Sequence, residues 1–321
     1  MIVLIFTGGT ISMRRQRGSD GVVPTMGGAE LVASTPGLAD TAPIEIDEWA
    51  TMAASHFTVG RIWDLRNRVA HHLARPEVDG VVVAQGTDTL EEVAYLVARS
   101  ISSDKPVVFT GAMRTADDLS WDGPINLVDA VRVAASASAF GQGTLIVLGS
   151  RILTALDAVK VEARLPDAFD SPGVGAVGEV DGSQVLFRRN VRRRPVLAPP
   201  GLASPVDIVY AYVGCDGRLV DAARAEAVGL VIGALGRGNS NEPFFAAIER
   251  WLDTGKPVVV SSRVSRGRLG AVYGFRGGGR DLARAGAIFA GWRRPSHARI
   301  DLMLALGAGL SGEALAAVFE D

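Results

Sequence analysis

The stretch MIVLIFTGGT (1–10) sets the reading of the whole chain. Six apolar residues run into Thr7-Gly8-Gly9-Thr10, two glycines flanked by hydroxyls. The run is too short for the apolar segment of a leader and no basic region precedes it, so it is expected to be a first strand. A strand that is apolar at every position is buried on both faces, as in the interior of a parallel sheet. The same form recurs at GVVVAQGTD (80–88), PVVFTGAMR (106–114) and TLIVLG (144–149).

Helical periods separate these runs. In TLEEVAYLVARSI (89–101), Leu90, Val93, Ala94, Val97 and Ile101 share one face. In GPINLVDAVRVAA (123–135), Pro124 suits a first helical position, followed by Ile125, Leu127, Val128 and Val131. Alternation of strand and helix predicts an α/β fold, with a doubly wound parallel sheet in the N-terminal domain. The arginine- and proline-rich segment 188–205 has neither period and reads as a linker between domains 1–187 and 206–321. Beyond it, VDIVYAYV, GLVIGALG and KPVVVSSRV predict a second, smaller α/β domain, closed by amphipathic helices around 295–320.

Composition narrows the function. The 321 residues are 48% hydrophobic and 21% charged, and 33 basic against 35 acidic side chains leave a net charge of −2. That balance offers no electrostatic footprint for nucleic acid or an anionic membrane. No apolar stretch approaches the roughly 18 residues of a membrane span. A single cysteine, Cys215, excludes an intrachain disulfide, and the four histidines lack metal-site spacing. A cytoplasmic protein without metal or other cofactor is expected.

In a parallel α/β sheet, ligands bind at the carboxyl ends of the strands. Three of these ends carry glycines and hydroxyls: Thr7-Gly8-Gly9-Thr10, Gly86-Thr87-Asp88-Thr89 and Thr110-Gly111-Ala112. Glycine there admits a ligand to the backbone and bares N–H groups for an oxyanion. Taken singly, each motif is equally a turn. At the second, Thr89-Leu90-Glu91-Glu92 fits a capping box, which leaves Thr87 and Asp88 as spare polar groups beside a pocket.

Lysine use is the other signal. Only Lys105, Lys160 and Lys256 are lysine, against arginine everywhere else. Of the two, only lysine readily gives up its proton, so Lys160 in Leu156-Asp157-Ala158-Val159-Lys160 is a candidate base for a hydroxyl such as Thr87. Lys105 and Lys256, in the matching phrases DKPVVF and GKPVVV, show no chemical role in the sequence.

In order and spacing, TGGTI (7–11), GTDTLEE (86–92), KPVVFTGAMR (105–114), SWDGPINL (120–127) and DAVK (157–160) resemble the bacterial type I/II L-asparaginases. The resemblance continues through ALGRGN (234–239), SSRV (261–264) and AGWRRPSHAR (290–299). It implies hydrolysis of L-asparagine to L-aspartate and ammonia, with weaker action on glutamine, by a homodimer or homotetramer. Carried over, Thr10 is the nucleophile, while Thr87, Asp88 and Lys160 form a second polar group in which Asp88 also grips the substrate ammonium. Gly9, Gly86 and the backbone of Ala112 line the substrate, and Asn239 approaches from a partner subunit. Three positions depart from the pattern. Val22 stands where the lid tyrosine belongs, so that either Ser12, Ser19, Asp20 or Thr25 assists Thr10 or Thr10 reacts slowly. Ala54, followed by Ser55, replaces the carboxylate-binding serine. The acid supplied to a neighbouring site falls near Gly279. Two other readings stay open: an amino-acid-binding protein of this fold with little turnover, and the amidase subunit of a tRNA-dependent amidotransferase, against which the near-neutral charge counts.

Overall fold

The computed structural model describes residues 1–15, 18 and 20–320. These divide into two compact units, Met1–Val196 and Leu197–Asp321.

In the first unit, β1 (Ile2–Phe6) leads into a hairpin, β2 (Met13–Arg15) and β3 (Val22–Pro24), and the helix α1 (Gly28–Ala33). Next come β4 (Ile44–Glu48), α2 (Val59–Leu73), β5 (Gly80–Ala84), α3 (Leu90–Ser100), β6 (Val107–Thr110), α4 (Gly123–Ala135) and β7 (Thr144–Leu148). The chain then turns back through β8 (Arg151–Thr154), β9 (Val159–Lys160), β10 (Phe169–Asp170), β11 (Gly178–Asp181) and β12 (Gln184–Phe187). The main sheet has the order β12-β11-β8-β7-β6-β5-β1-β4. From β4 to β7 every pairing is parallel, whereas β8, β11 and β12 are added antiparallel.

The four apolar runs are the strands β1, β5, β6 and β7, and every residue in them is buried. Ile2, Leu4 and Phe6 form one core with Leu31 of α1 and Leu127 and Val131 of α4. Val3 and Ile5, on the opposite face, are equally buried. This is the parallel sheet covered on both sides that the sequence predicts. Ile125, in contrast, is half exposed on α4.

The segment 188–205 contains no helix or strand. Its first part nevertheless packs on the first unit: Val191 N–H donates to Gln142 Oε1 at 2.9 Å and Arg193 pairs with Asp104 at 3.0 Å.

The second unit has β13 (Val206–Tyr210), β14 (Gly229–Ala234), β15 (Val258–Ser262) and β16 (Ile288–Phe289), all parallel and adjacent in that order. Its helices are α5 (Arg218–Arg224), α6 (Glu242–Leu252), α7 (Gly279–Arg284), α8 (Pro295–Gly307) and α9 (Gly312–Ala317). The amphipathic expectation fails for α8, which is buried nearly all round, from His297 and Ala298 to Leu304 and Ala305. It lies across β13, β14 and β15 and also meets α9. Its one buried acid, Asp301, is matched by buried Arg293 at 2.7 Å. Arg293 Nη1 and Nη2 donate to Phe319 O and Val318 O, tying down the end of the chain.

Two of the three lysines now have structural roles. Lys105 Nζ donates to the carbonyls of Leu73 and Arg75, at 3.0 and 2.6 Å, at the carboxyl end of α2. Lys256 Nζ donates to Arg224 O, at 3.0 Å, at the carboxyl end of α5. A cation there satisfies free carbonyls and meets the negative end of the helix dipole. The matching phrases DKPVVF and GKPVVV are thus one architectural device used in both units.

Candidate active site

The strand ends of β1, β5 and β6 converge because glycine lets them touch. Gly8 and Gly9 take φ of 92° and 88°, a region that favours glycine. A Cβ on Gly9 would lie 2.3 Å from Gly86 Cα, and one on Gly86 would lie 2.8 Å from Ala54 Cβ. On Gly111, a Cβ would lie 2.4 Å from Gln85 O and 3.1 Å from Thr87 Cγ2. The TGGT, GTDT and TGAM turns, with Ala54, therefore form one packed surface at the carboxyl end of the sheet.

Thr10 opens a short 3₁₀ turn, Thr10–Ser12, and is half-buried. Ser12 Oγ, one of the hydroxyls considered as an aid to Thr10, donates to Gly9 O at 2.9 Å. Val22 lies across the β2–β3 hairpin from Arg15 and is exposed, as is Asp20. Thr25 follows β3, and its N–H donates to Ser12 O at 3.0 Å, fixing its backbone beside the Thr10 turn. Ser19 lies outside the described residues.

Thr87 is buried, and its hydroxyl accepts from Lys160 Nζ at 2.8 Å while facing Met113 Sδ at 3.5 Å. The same Nζ donates to Asp88 Oδ1 at 2.9 Å. Asp88 keeps 65% of its side chain exposed, so its carboxylate can still receive a ligand cation. Lys160 arrives on β9, which among the described residues pairs only with β10, outside the main sheet. Its backbone N–H donates to Glu91 Oε2 at 2.5 Å.

The capping box at Thr89 does not form. Thr89, at φ −125° and ψ 8°, makes no side-chain cap bond. Its Oγ1 instead donates to Ala54 O at 3.1 Å and accepts from Gln85 Nε2 at 3.2 Å. Thr89 thus holds the Ala54 loop to the strand end. Ala54 is buried against Gly86, whereas Ser55 is exposed.

Ala112 is buried in a loop fixed by residues to which the sequence assigned no role. The Asp122 carboxylate accepts the N–H groups of Met113 and Arg114, the latter at 2.9 Å. Asn126 Nδ2 donates to Gly111 O and to Asp122 Oδ2, and Asn126 Oδ1 accepts from Gly149 N–H. Asp122 precedes Gly123-Pro124 and looks like a helix cap, yet its carboxylate turns back to the loop and makes no cap bond. Its place in SWDGPINL was the only signal available.

Asn239 lies in the second unit, in the turn after β14, where its Oδ1 accepts from Gly279 N–H at 3.1 Å. A cavity of about 290 Å³ in the first unit lies around the starts of β6 and β7, and none of the predicted site residues lines it. Among the described residues, no three histidine, cysteine or acidic side chains cluster as metal ligands.

A family model described as "Asparaginase, N-terminal" matches residues 1–193, and one described as "Glutaminase/Asparaginase C-terminal domain" matches residues 205–319. The chain is 37% identical to a "Probable L-asparaginase" of Deinococcus radiodurans, over 99% of this chain and 96% of that protein. It is 30% identical to a "Probable L-asparaginase periplasmic" of Haemophilus influenzae, over 100% of this chain and 92% of that one. A "Glutaminase-asparaginase" of Pseudomonas aeruginosa is 32% identical, over 83% of this chain and 76% of its own length. With both halves matched and relatives aligned along nearly the full length, the chain belongs to the asparaginase family.

Proposed function

We propose that the first unit hydrolyses the side-chain amide of L-asparagine, giving L-aspartate and ammonia, with weaker action on glutamine. The observation that carries this reading is Lys160 Nζ, 2.8 Å from Thr87 Oγ1 and 2.9 Å from Asp88 Oδ1, beside the glycine-packed turn of Thr10. The names of the Deinococcus and Pseudomonas relatives point to the same chemistry.

In this reading Thr10 Oγ attacks the amide carbon. The hydroxyl proton of Thr10 passes to the amide nitrogen as the tetrahedral intermediate collapses, the C–N bond breaks and ammonia leaves, and an aspartyl ester remains on Thr10. Water then cleaves the ester. Lys160 draws the hydroxyl proton from Thr87, which in turn takes a proton from that water, and the proton returns to the departing Thr10 oxygen. Asp88 holds the substrate ammonium, and Gly9, Gly86 and Ala112 present backbone to the amide and its developing oxyanion.

The same proposal takes residues 1–187 as the part carrying the catalytic side chains. It assembles the protein as a homodimer or homotetramer in which Asn239 serves a partner's site. Exposed Tyr210, Tyr212, Val213 and Leu219 beside the open edge at β13 support self-association. Among the described residues no helix is long and apolar enough to cross a membrane, and we place the protein in the cytoplasm. Ammonia release by purified protein, compared for asparagine and glutamine, tests the assignment. Binding of asparagine without ammonia release would replace the enzyme with an amino-acid-binding protein.

A further inference from the structure

The side chain assigned as base stands on very little secondary structure. β9 is two residues long and pairs with β10, Lys160 opposite Phe169 and Val159 opposite Asp170. β10 itself is held from behind by Arg151, whose guanidinium bonds Asp167 at 2.8 Å and Asp170 at 2.7 Å. A four-carbon side chain on so short a ribbon has wide freedom unless its main chain is fixed. Its Nζ nonetheless lies at hydrogen-bond distance from both Thr87 and Asp88.

We propose, resting on the amide-hydrolase reading above, that Glu91 is a positioning residue that clamps the main chain of Lys160 so that Nζ falls between Thr87 and Asp88. Glu91 stands in the first turn of α3, four residues after Thr87 and three after Asp88. One short segment therefore supplies the partners of both Lys160 nitrogens: the Glu91 carboxylate takes the backbone N–H, and Thr87 and Asp88 take the side-chain nitrogen. Because all three anchors ride on the same helix start, the distance from base to hydroxyl is set within that segment. It does not depend on the reach of the ribbon. A carboxylate in the first helical turn is favoured by the helix dipole in any case. The bond to a backbone N–H in a distant strand is what that ordinary role leaves unexplained.

The test compares Glu91→Ala, Glu91→Asp and Glu91→Gln in the full chain, each checked for thermal unfolding. Glutamine keeps an acceptor oxygen at the same reach, aspartate keeps the charge but falls short, and alanine removes both. A displacement of about 1 Å at a catalytic group can cost on the order of 100-fold. The alanine and aspartate variants should therefore lose about 10- to 100-fold in kcat, with KM changed less than about 3-fold. The glutamine variant should retain about a third or more of kcat, since its oxygen still accepts. A second readout needs no turnover: reductive methylation of the three lysines, followed by peptide mass spectrometry. Lys160 should label several-fold faster in the alanine and aspartate variants, while Lys105 and Lys256 serve as internal references. Unchanged kcat and labelling in the alanine variant would overturn the clamp. So would equal losses in the glutamine and alanine variants, which would make charge the cause. If the native protein hydrolyses no amide but Lys160 labelling still responds as described, the clamp stands and the hydrolase reading falls.

Discussion

Gly9 and Gly86 meet backbone to backbone, so closely that a Cβ on Gly9 would stand 2.3 Å from Gly86 Cα. The loops that carry Thr10 and Thr87 are thereby registered without any side chain between them. Gly86 is the cleaner position to probe, since it does not share the positive φ of Gly9. In Gly86→Ala the new methyl meets Ala54 Cβ at 2.8 Å and Gly9 Cα at 3.1 Å, and only one of these neighbours is a side chain. Overpacking of this kind costs about 1–3 kcal/mol of stability. The shift of the two loops should lower kcat/KM on the order of 100-fold. Denaturant unfolding and steady-state kinetics check both effects, and unchanged kinetics would mean that the contact plays no part in catalysis.

Lys160→Arg should be nearly as damaging as Lys160→Met. Arginine keeps the charge beside Thr87 and Asp88 but does not act as a base at neutral pH. If the arginine variant retains most of the turnover number, Lys160 serves only as a fixed cation.

Much of this was legible in the sequence, and the part that was not has a physical reason. Interior parallel strands are apolar on both faces, so β1, β5, β6 and β7 stand out. The edge strand β4, Ile-Glu-Ile-Asp-Glu, is mostly not buried, so no apolar run marks it. Thr87 and Asp88 stand out in the sequence as spare polar groups at a strand end, and Lys160 against an arginine surface, while Thr10 is picked out by the resemblance alone. Asp122, Asn126 and Glu91 were not, because their bonds run to loops and strands distant in sequence. Thr89 was misread for the same reason: its hydroxyl bonds Ala54, 35 residues away, and not its own helix.

The edge strand β4 is held to α2 by a buried charge network that should make stability pH-dependent. Asp47 accepts from Arg68 Nε at 2.6 Å and Nη2 at 2.9 Å, and contacts His72 Nε2 at 2.6 Å. Burial pushes its carboxyl up, but the bonds from Arg68 and His72 outweigh burial and hold it below the usual carboxylate range. A carboxyl more acidic in the folded than in the unfolded chain adds stability in full above its unfolded pKa of about 3.9. That contribution disappears as pH falls through the lower, folded value. Asp47→Asn should therefore lower the unfolding midpoint at neutral pH and flatten its fall in acid. An acid limb identical to the native one would place the pH dependence elsewhere.

Recognition of the substrate ammonium should be weak. The resemblance expects a second acid near Gly279, but a Cβ there would lie 3.1 Å from Ala271 Cα and from Gly270 O. Asp88 is the acid in evidence, with Glu242, at the start of α6, as the alternative. A charge-assisted hydrogen bond contributes about 1.5–3 kcal/mol, so the loss of one should cost roughly 10- to 100-fold in discrimination. Specificity constants for asparagine and succinamate, its analogue without the amino group, should accordingly lie close together. Strong rejection of succinamate, undiminished in Glu242→Gln, would reveal another anion in the site.

In the proposed reaction a threonine hydroxyl, Thr10, carries the aspartyl group between the two halves. Acid quenching of the protein during turnover of asparagine, followed by proteolysis and mass spectrometry, reads this directly. An aspartyl ester is expected on the peptide bearing Thr10. No such ester should form in Thr10→Ala, whose turnover should fall by several orders of magnitude with folding intact. An ester on Thr87 instead, or full ammonia release by the Thr10→Ala variant, would contradict it.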